Sequence, residues 1–93
     1  MKRVLHLPVK KIYFDQIKAG LKPEEFRLQN EYWKKRLEGR EYDEVHIKLG
    51  YPKADDHERI LISPWLGVTK KTIDHEHFGG VAHVYAIKVD VTA

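Results

Sequence analysis

The sequence contains no cysteine, so it offers no disulfide framework, no thiol nucleophile and no cysteine-based zinc site. Serine occurs once, at Ser63, outside any nucleophile-elbow pattern. No apolar run approaches the roughly 18 residues that a membrane-spanning helix requires. The first residues also lack the apolar segment of a signal peptide. We therefore expect a cytoplasmic protein without a membrane segment.

The chain has 93 residues, which suffice for one domain with one hydrophobic core, and we expect a single domain over 1–93. Its charge is unevenly placed. Residues 1–50 contain 12 Lys or Arg and 8 Asp or Glu, whereas residues 51–93 contain 5 and 6. The net charge of +4 in the first half predicts a face suited to an anionic partner, unless these side chains only solvate the surface.

The first half predicts two helices, each preceded by a short strand. Residues 4–7 read as a strand that stops at Pro8. The apolar spacing of residues 9–19 predicts a helix, with Gly20 as its left-handed stop.

A second strand over residues 24–28 would place Glu25 and Arg27 on one face. Asn30 is the predicted N-cap of the second helix, residues 31–38.

The second half reads as β structure. Residues 45–49 alternate between apolar and polar, and the apolar run 60–62 predicts a central strand. Residues 68–73 predict a further strand, and the clean alternation of residues 83–91 predicts the last one. Together these elements predict an α+β fold, a small β-barrel of about five or six strands with two helices near the N-terminal half.

The most informative segment joins the first helix to the second strand. Lys22 follows Gly20 by two residues, and Arg27 follows Lys22 by five. These two cations and Glu25 are predicted to meet at the mouth of the barrel. Lysine supplies a compact ammonium and arginine a planar fork for phosphate or carbonyl oxygens. The alternative is a surface ion cluster that contributes little stability.

This pattern, a helix followed by Gly-x-Lys and then Arg, resembles the ASCH domain, a family with a PUA-like β-barrel. The resemblance implies a partly open barrel with a cleft beside the first helix. It also implies RNA or modified-nucleoside ligands and, in some members, amide hydrolysis of acylated cytidine. Lys22 matches the family's functional lysine and Arg27 its arginine.

Hydrolytic members of that family place a threonine three residues after the lysine, and this chain has Glu25 there. A carboxylate cannot supply the hydroxyl nucleophile of a Thr–Lys pair. If the protein is an enzyme, Lys22 is the candidate general base, assisted by Glu25 or by Glu76.

Further candidates for ligand contact lie on the second helix and in a later loop. Lys34, Lys35 and Arg36 make the outer surface of that helix basic, and Tyr32 lies beside them. Aromatic rings stack on bases, so Tyr32 is a candidate platform, as is Trp65 in its Pro- and Gly-flanked loop. Trp33 and Tyr51 offer the same chemistry, although Trp33 and Trp65 also suit the core.

The histidines predict no metal site. His75 and His77 form a His-x-His pair and His57 lies in a polar loop, but their spacing matches no zinc site. We expect no metal and no other cofactor.

The function that this sequence favours is binding of RNA, or of a nucleotide-sized piece of it, in a basic cleft. Lys22, Glu25 and Arg27 would contact the ligand, and the basic helix would extend the footprint. The alternatives are a small hydrolase of a modified nucleoside and an adaptor whose basic face binds an acidic protein.

Overall fold

The computed structural model describes residues 2–91. This part of the chain forms an α+β structure with both helices in the first half, which confirms the predicted class. In chain order its elements are β1 (Val4–Val9), α1 (Lys11–Lys18), β2 (Glu24–Leu28), α2 (Glu31–Leu37), β3 (Glu44–Leu49), β4 (Ile60–Pro64), β5 (Val68–His75) and β6 (Gly80–Lys88). Two 3₁₀ turns, His57–Arg59 and Glu76–Phe78, precede β4 and β6.

The strands form two three-stranded sheets. Sheet A has the order β1-β3-β4, with β1 parallel and β4 antiparallel to β3. Sheet B has the order β2-β6-β5 and is antiparallel throughout. Within residues 2–91 no ladder joins the two sheets, so the strands do not form one continuous hydrogen-bonded barrel.

The core lies between the inner faces of the two sheets and both helices. Alternate residues of β1 and β3 point inward, whereas the residues between them stay more exposed. Helix α1 adds Phe14 and Ile17, and α2 adds Leu37. The buried residues of this cluster are Leu5, Leu7, Val9, Phe14, Ile17, Leu37, Val45, Ile47, Tyr85, Ile87 and Val89.

The end of α1 and the start of α2 lie at the predicted signals. Gly20, two residues after the end of α1, has a φ of 77°, the left-handed conformation that glycine adopts without a Cβ clash. The Asn30 side chain accepts a hydrogen bond from the Trp33 backbone N–H at 3.0 Å and so caps α2. No helix in the described residues has the length and apolar character needed to cross a membrane.

The prediction that β1 stops at Pro8 is wrong, because Pro8 lies inside the strand. Proline lacks an N–H and is excluded mainly from central ladders. β1 is an edge strand paired only with β3, so a missing donor is tolerated there.

Two further strand predictions are corrected. The apolar run in β4 does not make that strand central: β4 lies at the edge of sheet A, and Ile62 is 53% exposed. The strand β6 begins at Gly80 and ends at Lys88, and residues 84–87 are all buried. As the central strand of sheet B it is covered on both faces, so alternating residue types do not translate into alternating exposure.

Candidate ligand-binding cleft

A cleft of about 390 Å³ opens where the end of β1, β2 and the start of α2 meet. The turn after β3 and the 3₁₀ turn before β6 complete its walls. Its lining residues are Pro8, Val9, Lys10, Tyr13, Glu25, Phe26, Arg27, Leu28, Asn30, Trp33, Gly50, Tyr51, His77 and Phe78. Segments distant in the chain therefore build one concave site, the usual location for a small ligand.

Glu25 and Arg27 contribute a buried ion pair to this cleft. Two residues apart on β2, they lie on one face of the strand as predicted, and Arg27 Nη1 is 3.2 Å from Glu25 Oε1. Their side chains are only 6% and 17% exposed, so the alternative of a surface ion cluster is wrong. Sheet B turns this face of β2 inward, and each charge is compensated by the other.

Arg27 is also held by backbone carbonyls. Nη1 donates to the Phe26 carbonyl at 2.9 Å, and Nη2 donates to the Pro8 carbonyl at 2.7 Å. The second bond joins β2 to β1, which belong to different sheets. The guanidinium therefore has a fixed position in the cleft, and it also lies over the Trp33 ring at 5.3 Å.

Glu25 retains one unsatisfied oxygen. Oε1 accepts from the Phe26 N–H at 3.0 Å and faces Arg27, whereas Oε2 is buried without a hydrogen-bond partner. A buried carboxylate oxygen without a donor is costly, and such atoms are rare in folded proteins. The acceptor capacity of Oε2 is therefore unused among the described residues.

Lys22 lies beside Glu25 without forming an ion pair among the described residues. Its Nζ is 4.5 Å from the centroid of the Phe26 ring and 5.3 Å from that of Tyr13. Ring faces attract an ammonium group in this geometry. Lys22 does not line this cleft. It lines a small adjoining chamber of about 10 Å³, which Glu25 also lines, and a separate cavity of about 460 Å³ together with Gly20 and Pro23.

Tyr51 is the free aromatic ring of the cleft. It follows β3 at the mouth, is 92% exposed, and makes no ring or cation contact with the described residues. The other aromatic rings in the wall each contact a neighbouring ring or cation. Tyr51 therefore offers an open face for stacking.

The 3₁₀ turn Glu76–Phe78 contributes His77 and Phe78 to the wall of the cleft. The His77 ring meets the Tyr13 ring edge-on at 5.6 Å and the Phe78 ring at 4.9 Å. The histidines thus act as part of an aromatic wall, and the described residues contain no cluster of three or more side chains suited to a metal ion. Glu76, the assisting carboxylate of the hydrolase alternative, is exposed and lines neither the cleft nor the chamber.

The basic residues of α2 lie outside the cleft. Helix geometry directs Trp33 into it, whereas Tyr32, Lys34, Lys35 and Arg36 do not line it. The Arg36 guanidinium covers the Tyr32 ring at 3.5 Å, so one face of that exposed ring is occupied. These residues border the site next to Trp33 instead of forming its interior.

Trp65 lies elsewhere in the fold. Its ring packs against Tyr42 at 5.2 Å and against the core, and it does not line the cleft. The core interpretation of Trp65 therefore describes its position.

Sequence reasoning missed several cleft residues. Lys10, Asn30, His77 and Phe78 all line it, yet they were given other roles or none. The only local signal was the Phe78-Gly79-Gly80 turn, where both glycines have positive φ values.

Comparison with protein-family models, curated proteins and solved structures finds no match to this chain.

Proposed function

We propose that this protein is an ASCH-like, PUA-like domain that binds RNA, or a nucleotide-sized piece of it, in the cleft. The observation that carries the proposal is the buried Glu25–Arg27 pair inside an open, aromatic-walled cleft. Such a pair combines a guanidinium with a carboxylate, and both are groups that recognise base edges.

The size and charge of the cleft agree with this ligand. A volume of about 390 Å³ lies within the range of ordinary small-molecule sites. Arg27 is neutralised by Glu25, so the exposed Lys10 leaves the lining with a net positive charge that favours a phosphate. Tyr51 at the mouth supplies a ring on which a base can stack.

Binding is better supported than hydrolysis. The cleft lining contains no serine, threonine or cysteine, the residue types that supply the usual aliphatic hydroxyl or thiol nucleophile. Lys22 is packed against two rings and does not line the cleft. We expect no turnover of acylated cytidine. Hydrolysis by the wild type that disappears in Lys22→Arg would instead favour the enzyme, because arginine cannot act as a general base.

The experiment compares two exposed tyrosines in fluorescence anisotropy titrations with labelled single-stranded RNA. Tyr51→Ala removes the free ring of the cleft and is expected to weaken binding by about 1–3 kcal/mol. Tyr32→Ala, the matched control, removes an exposed ring outside the cleft. It should have a smaller effect.

Both substitutions lie on the surface, so the fold should tolerate them. No binding by the wild type at low salt would reject the proposed function. Equal losses in the two variants would contradict a binding surface centred on the cleft, and a larger loss in Tyr32→Ala would place that surface on α2.

A further inference from the structure

Strand β5 leaves one edge of sheet B open. It pairs only with β6, and no backbone hydrogen bond within residues 2–91 reaches its outer edge. β5 is also the longest of the four edge strands, and it contains no proline, whereas β1 contains Pro8 and β4 ends at Pro64. An open edge of this length presents unpaired N–H and C=O groups to a further strand.

The side chains along this edge are polar and accessible. Residues 69–72 and Asp74 are exposed. Because successive side chains of a strand alternate, Lys70, Thr72 and Asp74 share one face. Lys70 Nζ lies 3.3 Å from Glu38 Oε2, yet the Lys70 side chain is 59% exposed. Asp74 forms no ion pair with the described residues, so the same face carries a positive charge and an uncompensated negative charge.

The charges of β5 select one register for pairing with a second copy. Two identical edges that pair antiparallel are related by a twofold axis, and facing side chains lie on the same face, so one residue faces its own copy. If that residue were Lys70 or Lys71, like charges would face each other and destabilise the ladder. If it is Thr72, Lys70 faces the partner's Asp74 and Asp74 faces the partner's Lys70. Within β5 no other register brings opposite charges together.

We propose that the protein self-associates through β5, with Thr72 at the twofold axis, and joins two copies of sheet B into one six-stranded sheet. This inference goes beyond the proposed function and does not depend on it. A lysine ammonium has three N–H donors, so Lys70 binds the partner's Asp74 while keeping its contact with Glu38. Threonine facing threonine is also a favourable cross-strand pair. The contact is one strand wide, smaller than a standard interface, so the dimer is weak.

The test measures sedimentation velocity of the full chain from about 10 µM to about 1 mM. We expect the wild type to pass from monomer to dimer with a Kd in roughly this range. Asp74→Lys replaces both opposite-charge pairs with like-charge pairs, so it should weaken dimerisation about tenfold or more. Asp74 is exposed and has no ion pair to lose among the described residues, so the fold should tolerate this change.

Asp55→Lys is the matched control. It makes the same change in net charge at an exposed position in the loop between β3 and β4, away from β5. If the effect of Asp74→Lys comes from the pairing register and not from general repulsion, Asp55→Lys should change the Kd less than about threefold.

A second charge reversal makes the test specific for this register. In Lys70→Asp, the introduced carboxylate faces the partner's Asp74, so this variant should also remain monomeric. A mixture of Lys70→Asp and Asp74→Lys chains again places opposite charges at both facing positions. The mixture should therefore dimerise about as well as the wild type, although neither variant does so alone.

Three results would overturn the proposal: a wild type that stays monomeric at about 1 mM, equal effects of Asp74→Lys and Asp55→Lys, or a mixture of folded variants that does not dimerise. If Lys70→Asp fails to fold because its contact with Glu38 is lost, the comparison of Asp74→Lys with Asp55→Lys decides alone. Neither Lys70 nor Asp74 lines the cleft, so RNA titration of Asp74→Lys tests the proposed function separately.

Discussion

At the scale of single residues, Tyr85 links α2 to sheet B. Its hydroxyl donates to Glu38 Oε2 at 2.5 Å, and Lys70 Nζ lies 3.3 Å from the same oxygen. Burial, followed by the hydrogen bond to the carboxylate, raises the pKa of Tyr85 to about 12. The hydrogen bond from Tyr85, with Lys70, lowers the pKa of Glu38.

These shifts predict how stability depends on pH. A tyrosine with a raised pKa contributes to the stability of the fold at pH values below the ordinary tyrosine pKa near 10. This contribution is lost as the pH rises toward 12, the pKa in the folded protein. Tyr85→Phe is expected to lower the free energy of unfolding by about 1–2 kcal/mol at neutral pH. The substitution should also remove most of the decrease in the free energy of unfolding at alkaline pH, as measured by urea denaturation across the pH range.

Tyr32→Phe is the control, because the Tyr32 hydroxyl makes no hydrogen bond with the described residues. An alkaline profile that is the same in Tyr85→Phe and the wild type would contradict the assignment.

At the scale of elements, the seven-residue helix α2 is too short to be stable alone and depends on its cap and packing. Asn30 caps it through the backbone of Trp33, the residue that contributes its ring to the cleft. Leu37, at the other end, is buried in the core. The stability of α2 and the shape of the cleft are therefore coupled.

Asn30→Ala is expected to destabilise the protein by about 1 kcal/mol and to weaken RNA binding as well. Asn30→Ser retains a capping oxygen and should preserve most of the stability. Urea denaturation and RNA titration of both variants check this coupling. If serine and alanine were equally destabilising, the capping bond would not be the cause.

At the scale of the whole molecule, the distribution of charge governs how the protein would associate with a polyanion. The positive excess lies in residues 1–50, the half that supplies β1, both helices and β2. Most of the cleft lining comes from the same half. Long-range attraction and the local site therefore favour the same face of the chain.

We expect RNA affinity to fall with salt, with a log–log slope of roughly −2 to −3 for contacts to three or four phosphates of a single strand. Lys10→Ala, at the cleft, should reduce the magnitude of the slope by about 0.7. Lys18→Ala removes the same charge from the other end of α1 and should change the slope less. Equal effects of the two variants would indicate diffuse attraction without a defined site.

The parts of this fold that follow from local chemistry were predictable. β2 has the predicted bounds, Asn30 caps α2, and Gly20 ends α1 in a left-handed conformation. Each depends on a few neighbouring residues, such as a side-chain oxygen near free N–H groups or a residue without a Cβ. The shared face of Glu25 and Arg27 follows in the same way from the two-residue period of a strand.

The sequence alone determined the residue types of the site, but only the tertiary structure decided which of them meet. The burial of Glu25 and Arg27 depends on β1 supplying the Pro8 carbonyl, and the free face of Tyr51 depends on its position at the cleft mouth. Ile62 is exposed because β4 is an edge strand, a fact set by pairing with β3. Burial and proximity are properties of contacts between distant segments, and local pattern does not contain them.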